Sequence, residues 1–108
     1  MKYFILFLAV GFFALGAPLQ AADAKAGKTV YDSKCKLCHG PKGEGVAAIA
    51  KTLKVTLKDL GSKEVQAKSD ADIRKQSIEG TGKMQAVKGL SDQQIEDLIA
   101  FVRSLATT

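Results

Sequence analysis

The chain has 108 residues, a length that fits one domain, and sets 16 lysines and arginines against 11 aspartates and glutamates for a net charge of +5. The excess is mild and the lysines are spread out, which argues against nucleic acid and favours acidic protein partners or anionic lipid. No internal repeat, low-complexity tract or sustained strand-like alternation is visible, so an all-α domain is expected.

The first segment stands apart. MKYFILFLAVGFFALGAPLQAA has one basic residue, Lys2, then runs uncharged from Tyr3 to Ala22, with Ala17, Ala21, Ala22 and Ala24 clustered near its end. A basic start, an apolar run and small residues describe a secretory signal peptide over residues 1–21. Cleavage is expected after Ala21 or Ala22, although Ala22-Asp23-Ala24 is the strictest A-x-A. Residues 22–108 then form the exported, periplasmic domain. The rival is an uncleaved anchor, because the run approaches the ~17–25 apolar residues that span a bilayer. A lipoprotein is not expected, since the first cysteine is Cys35.

Removing the signal leaves Tyr31 and Phe101 as the aromatic residues. So small a domain buries only about 60% of its unfolded surface and is marginal alone. It needs a disulfide, a metal or a bound prosthetic group.

Three helices are predicted in chain order. The first covers roughly Ala24 to Lys34, with Val30 and Tyr31 as its bulky apolar groups. Gly27 lies one turn before Tyr31, and a glycine costs a helix about 1 kcal/mol relative to alanine. It marks either a weak helix or the close approach of another one. Next comes GPKGEGVAAIAKTLKVTLKDLGSKEVQ, a loop at Gly40, Pro41, Gly43 and Gly45. Its stretch from Val46 to Leu60 has apolar residues without a firm period and room for one short helix. The second helix is expected over roughly Asp70 to Gly80, capped by Ser69 or Asp70 and ended by Gly80, with Ile73 and Ile78 inward. The third follows a capping box, Ser91 with Gln94. Ile95, Leu98, Ile99, Val102 and Leu105 recur there at helical spacing and form one apolar face. Asp92 and Arg103 suit the two ends of its dipole. Loops this long in so small a domain carry function or wrap something.

The chemistry centres on CKLCHG, residues 35–40. Structural zinc needs four ligands, and two cysteines with one histidine fall short without a carboxylate or water. A redox dithiol of the thioredoxin kind follows a strand, whereas this CxxC follows a helix. A local disulfide or two free thiols is the plain alternative. C-x-x-C-H is also the attachment signal of c-type haem. Two thiols add to the two haem vinyl groups, and the two-residue spacing lets one turn of chain reach both. The next residue then lies under the iron, so His39 is the expected proximal ligand and Cys35 and Cys38 the thioether links. Haem also supplies the apolar bulk that the missing aromatics do not.

For the sixth position no second histidine exists, and Met84 is the one methionine after the signal. It lies in GTGKMQAVKGL, a glycine-containing loop before the third helix, between Lys83 and Gln85. Packing filler would more naturally sit on an apolar helical face. Met84 is therefore the expected distal ligand, with a lysine amine or an open position as rivals. A His/Met pair saturates the iron, raises its potential and leaves one-electron transfer as the job.

These motifs resemble the class I c-type cytochromes, the small soluble monohaem family, over essentially the whole mature chain. CKLCHGPKGEG resembles the family's CxxCHGxxGxG, GTGKM its methionine loop and GLSDQQIEDLIAFVRSL its C-terminal helix. The resemblance implies a cytochrome c fold wrapped around one covalent haem c, and an electron carrier rather than an enzyme. It implies that the N- and C-terminal helices cross with Gly27 against Phe101 and Tyr31 alongside. Two departures stand out: Gln85 follows the methionine where the family often has proline, and Pro41 is the sole proline of the mature chain. Lys34, Lys36, Lys42, Lys83 and Lys88 flank the two haem-contacting segments and form a candidate rim that steers acidic redox partners to a monomeric protein. The competing function is a haem sensor or small haem catalyst with an open or labile sixth site.

Overall fold

The computed structural model describes residues 20–107, so the expected signal peptide lies almost wholly outside the described residues. Within them no helix is long and apolar enough to cross a membrane. Six helices and no strand are present among these residues, as the all-α expectation requires: α1 (Ala24–Lys34), α2 (Lys36–His39), α3 (Ala47–Leu53), α4 (Lys63–Gln66), α5 (Asp70–Glu79) and α6 (Asp92–Ser104).

Local chemistry explains most of the boundaries. The Asp23 carboxylate caps α1 by accepting from the Lys25 N–H at 2.9 Å. Ser69, not Asp70, caps α5, leaving Asp70 and Asp72 in the first turn, where the helix dipole favours acids. Ser91 and Gln94 form the reciprocal capping box that opens α6. The ambiguous stretch holds one helix, α3, which ends in a left-handed Lys54. The turn α4 was not legible in the sequence. It is a four-residue helix on a Ser62 cap, too short for any period to register.

The main interface is α1 on α6. A Cβ added at Gly27 would lie 1.8 Å from the Asp97 carbonyl oxygen, so only a hydrogen lets the two backbones approach this closely. The glycine therefore meets the α6 backbone, while the ring of Phe101 packs on Tyr31 with centroids 4.8 Å apart. Tyr31, Leu98 and Phe101 form one buried cluster, and Ile73, Ile95 and Ile99 a second that seats α5 on α6. Burying a side chain such as Leu98 contributes about 1.5–3 kcal/mol. The buried apolar set is small and sits mostly on α6, matching the thin core expected from the aromatic count.

Two arginines fix the connections around α5. Arg103 of α6 donates to the Gln66 carbonyl at 2.9 Å, the Lys68 carbonyl at 2.6 Å and the Asp70 carboxylate at 2.7 Å. Arg74 of α5 reaches back to Glu96 at 2.6 Å and Asp92 at 3.0 Å. The segment that leaves α5 at Gly80 therefore starts from a fixed base.

Candidate functional site

The site begins where α1 stops. The Cys35 N–H still bonds the Tyr31 carbonyl at 2.8 Å, but Cys35 leaves helical angles and a new turn, α2, starts after it. The Cys38 and His39 N–H groups both donate to the Cys35 carbonyl, at 3.3 and 3.0 Å. Three positions apart on one turn, Cys35 and Cys38 share a face, with His39 next in line. Gly40, at φ 82°, turns the chain away at once, a conformation costly for residues with a Cβ. The loop then folds back: Gly45 donates to the His39 carbonyl at 2.7 Å and Val46 to the Cys38 carbonyl at 2.9 Å. From α1 the buried Tyr31 hydroxyl donates to the Gly40 carbonyl at 2.6 Å. Burial first, then the charges of Cys35, Glu44 and Asp32, raises the pKa of that phenol, so it stays a donor.

The electrostatics of the turn narrow its chemistry. Both thiols are free and half-buried. Burial, and secondarily Cys38, pushes the Cys35 thiol up to about 11. A lowered pKa is what activates a thiol for exchange, and the surroundings of Cys35 act the other way. Among the described residues no group of three or more Cys, His, Asp or Glu side chains is placed to hold a metal ion. Burial lowers the pKa of His39, keeping the ring neutral. Its buried Nδ1 has no hydrogen-bond partner, an arrangement that calls for an explanation in a folded protein. Two free thiols and an imidazole on one turn form a donor set that fits covalent haem.

Met84 lies on a separate strap between α5 and α6. Met84 and Thr81 exchange backbone hydrogen bonds at 2.8 and 3.1 Å, closing a tight turn, and Val87 donates to the Ser77 carbonyl at 2.8 Å. Met84 is half-buried while Lys83 and Gln85 on either side are exposed. The structure thus joins Cys35, Cys38 and His39 on one turn and holds Met84 elsewhere. Among the described residues no hydrogen bond joins that turn to the strap. The strap instead crosses to α3, where Lys83 Nζ donates to the Leu53 carbonyl at 2.5 Å.

That bond engages one of the five lysines expected at the rim. Lys34, Lys36, Lys42 and Lys88 are exposed and make no ion pair among the described residues. Leu37, inside the CxxC, is 79% exposed. Sequence reasoning missed the hydroxyl role of Tyr31 and the carboxylate of Asp97. Asp97 is buried and accepts from the Asp23 N–H at 2.9 Å and the Gln93 amide at 3.0 Å, holding the start of α1 on α6. Neither role leaves a local signature, because Gly40 lies nine residues from Tyr31 and Asp23 lies 74 from Asp97.

The chain is similar to known proteins. The cytochrome c family model matches residues 24–106. Cytochrome c-554(547) of Halothiobacillus neapolitanus is 34% identical over 92 residues, covering 79% of this chain and 99% of its own. Cytochrome c6 of Picosynechococcus sp. is 36% identical over 98 residues, covering 87% of this chain and 83% of its own. Among solved structures, KustC0563 c-type cytochrome is similar with a TM-score of 0.65 and 30% identity, covering 75% of this chain and 98% of that one.

Proposed function

The chain belongs to the cytochrome c family, and from that premise we propose that it is an exported, periplasmic one-electron carrier whose haem iron is held by His39 and Met84. Membership makes it an electron-transfer protein with one covalent haem c, not an enzyme. Cys35 and Cys38 form the thioether links. His39 is the proximal ligand and Met84 the distal one.

The observation that carries this reading is the unpartnered, buried Nδ1 of His39 beside two free thiols on one turn. Haem c supplies the iron(III)/iron(II) couple. The residues do the rest. The α2 turn fixes the imidazole through the backbone, and the burial that keeps His39 neutral keeps its lone pair available to a metal. Met84 offers a thioether, which favours iron(II) and raises the potential. Two protein ligands leave no open coordination position, which suits electron transfer and disfavours oxygen chemistry. Lys34, Lys36, Lys42 and Lys88 form the positive rim that steers acidic redox partners.

A visible spectrum with a redox titration, joined to the intact mass of the exported protein, tests the reading. Low-spin ferric haem with a weak far-red thioether-to-iron band is expected, at the mass of a chain starting at residue 22 or 23 plus one haem. High-spin ferric haem, or ready binding of carbon monoxide by the reduced protein, would instead establish the sensor or catalyst. A mass retaining residues 1–21 would establish an anchor.

A further inference from the structure

Lys83 does a task that its place in a rim of lysines conceals. The helix α3 ends at Leu53 in a Schellman arrangement: Lys54, left-handed at φ 54°, donates to the Lys51 carbonyl at 3.2 Å, and Val55 donates to the Ala50 carbonyl at 3.0 Å. Those bonds leave the Leu53 carbonyl at the negative end of the helix without a backbone donor. Lys83 Nζ donates to it across thirty residues of sequence. This is the single hydrogen bond, among the described residues, that ties residues 80–89 to the half of the chain carrying α3. The strap's other ties are the Thr81–Met84 turn and the Gly80–Gln76 and Val87–Ser77 bonds, all on the α5 side. Gln85 stands where a proline would stiffen the chain, so a loop without that constraint has its side-chain crosslink immediately next to the ligand candidate.

We infer that Lys83 is a positioning residue for Met84: by bonding the exposed carbonyl at the end of α3, its ammonium holds the strap closed and keeps the thioether at its post. The inference rests on the reading of Met84 as distal ligand. Lysine and arginine side chains are suited to this capping of helix-end carbonyls, where charge and hydrogen bond act together. A strap held on both sides opens less often than one held on one side, so an outside ligand finds the sixth position less often.

The test uses exported holoprotein and imidazole, at a mildly alkaline pH where it is an uncharged probe for the sixth position. Affinity of the ferric protein for imidazole and the strength of the far-red band are measured for wild type, Lys83→Ala, Lys83→Arg, Lys88→Ala and Met84→Ala. Lys83→Ala is expected to bind imidazole roughly fivefold more tightly with a weaker band, the effect of losing one charge-assisted hydrogen bond at the surface. Lys83→Arg, which keeps a cationic donor, is expected to stay near wild type. Lys88→Ala, with the same loss of charge in the same strap, is expected to leave both readouts unchanged. Lys83→Ala matching wild type, or Lys83→Ala and Lys88→Ala rising together, overturns the positioning role while leaving Met84 as ligand. A wild type that lacks the band and binds imidazole as tightly as Met84→Ala overturns the ligand reading and the inference with it.

Discussion

The turn that carries CKLCH and the strap that carries Met84 are built on opposite plans. The turn is held from three directions by short-range bonds: Tyr31 through its carbonyl and hydroxyl, the helical bonds of α2, and the returning loop at Gly45 and Val46. The strap has one local backbone turn, two backbone bonds to α5 and one lysine reaching α3. The backbone therefore fixes His39, whereas Met84 depends on a looser frame. Such an asymmetry suits a carrier whose prosthetic group is anchored for good at one face. The other face needs only to stay closed, and its firmness is where the potential can be tuned.

The comparison breaks most severely at the turn. His39→Ala is expected to abolish the normal holoprotein, with no low-spin spectrum at any pH. Optical spectra of the exported variant check this, and a retained low-spin spectrum would show that His39 is not the proximal ligand. On the strap side, Met84→Ala is expected to keep the covalent haem, as intact mass would show. It should lose the far-red band, become high-spin and titrate at a lower potential. Loss of haem from this variant would mean that the strap anchors the group as firmly as the turn.

Smaller changes sharpen the contrast by loosening the scaffold of the turn alone. Gly27→Ala sets a methyl into the α6 backbone and is expected to destabilise the fold by about 3 kcal/mol, in the range of overpacked sites. Urea unfolding would read it, and a loss near zero would mean that α1 can shift without cost. Tyr31→Phe removes the shorter of two bonds to the buried Gly40 carbonyl, which keeps the Gly43 N–H at 3.2 Å, for about 1 kcal/mol by the same measurement. The far-red band should persist in both, since neither touches the strap.

The smallest effect is a pH dependence. The hydrogen bond from Lys28 holds the Asp32 carboxyl below its ordinary 3.8. A folded value lowered in this way gives stability that is present above 3.8 and lost as pH falls through the lowered value. The pair is exposed, so the loss should be slight and should vanish in Lys28→Ala or in high salt. Acid titration of thermal stability in the two proteins checks it.

Much of this molecule was legible without its fold. The spacing of Cys35, Cys38 and His39 fits one helical turn. The Ser91–Gln94 box and the apolar repeat of α6 are local patterns that physical chemistry reads directly. The lone Met84 stood out by elimination. The four-residue α4 stayed hidden because a single turn has no period. The tertiary structure decided the rest. It set Gly27 against the Asp97 carbonyl, gave the Tyr31 hydroxyl to Gly40, buried Asp97 over the start of α1, and drew Lys83 from the expected rim to the end of α3. The division has one physical cause. Caps, turns and helical faces are set by neighbours within a few residues. A buried polar group or helix-end carbonyl takes whatever partner the packed chain brings within bonding distance, and sequence spacing carries no record of which partner that is.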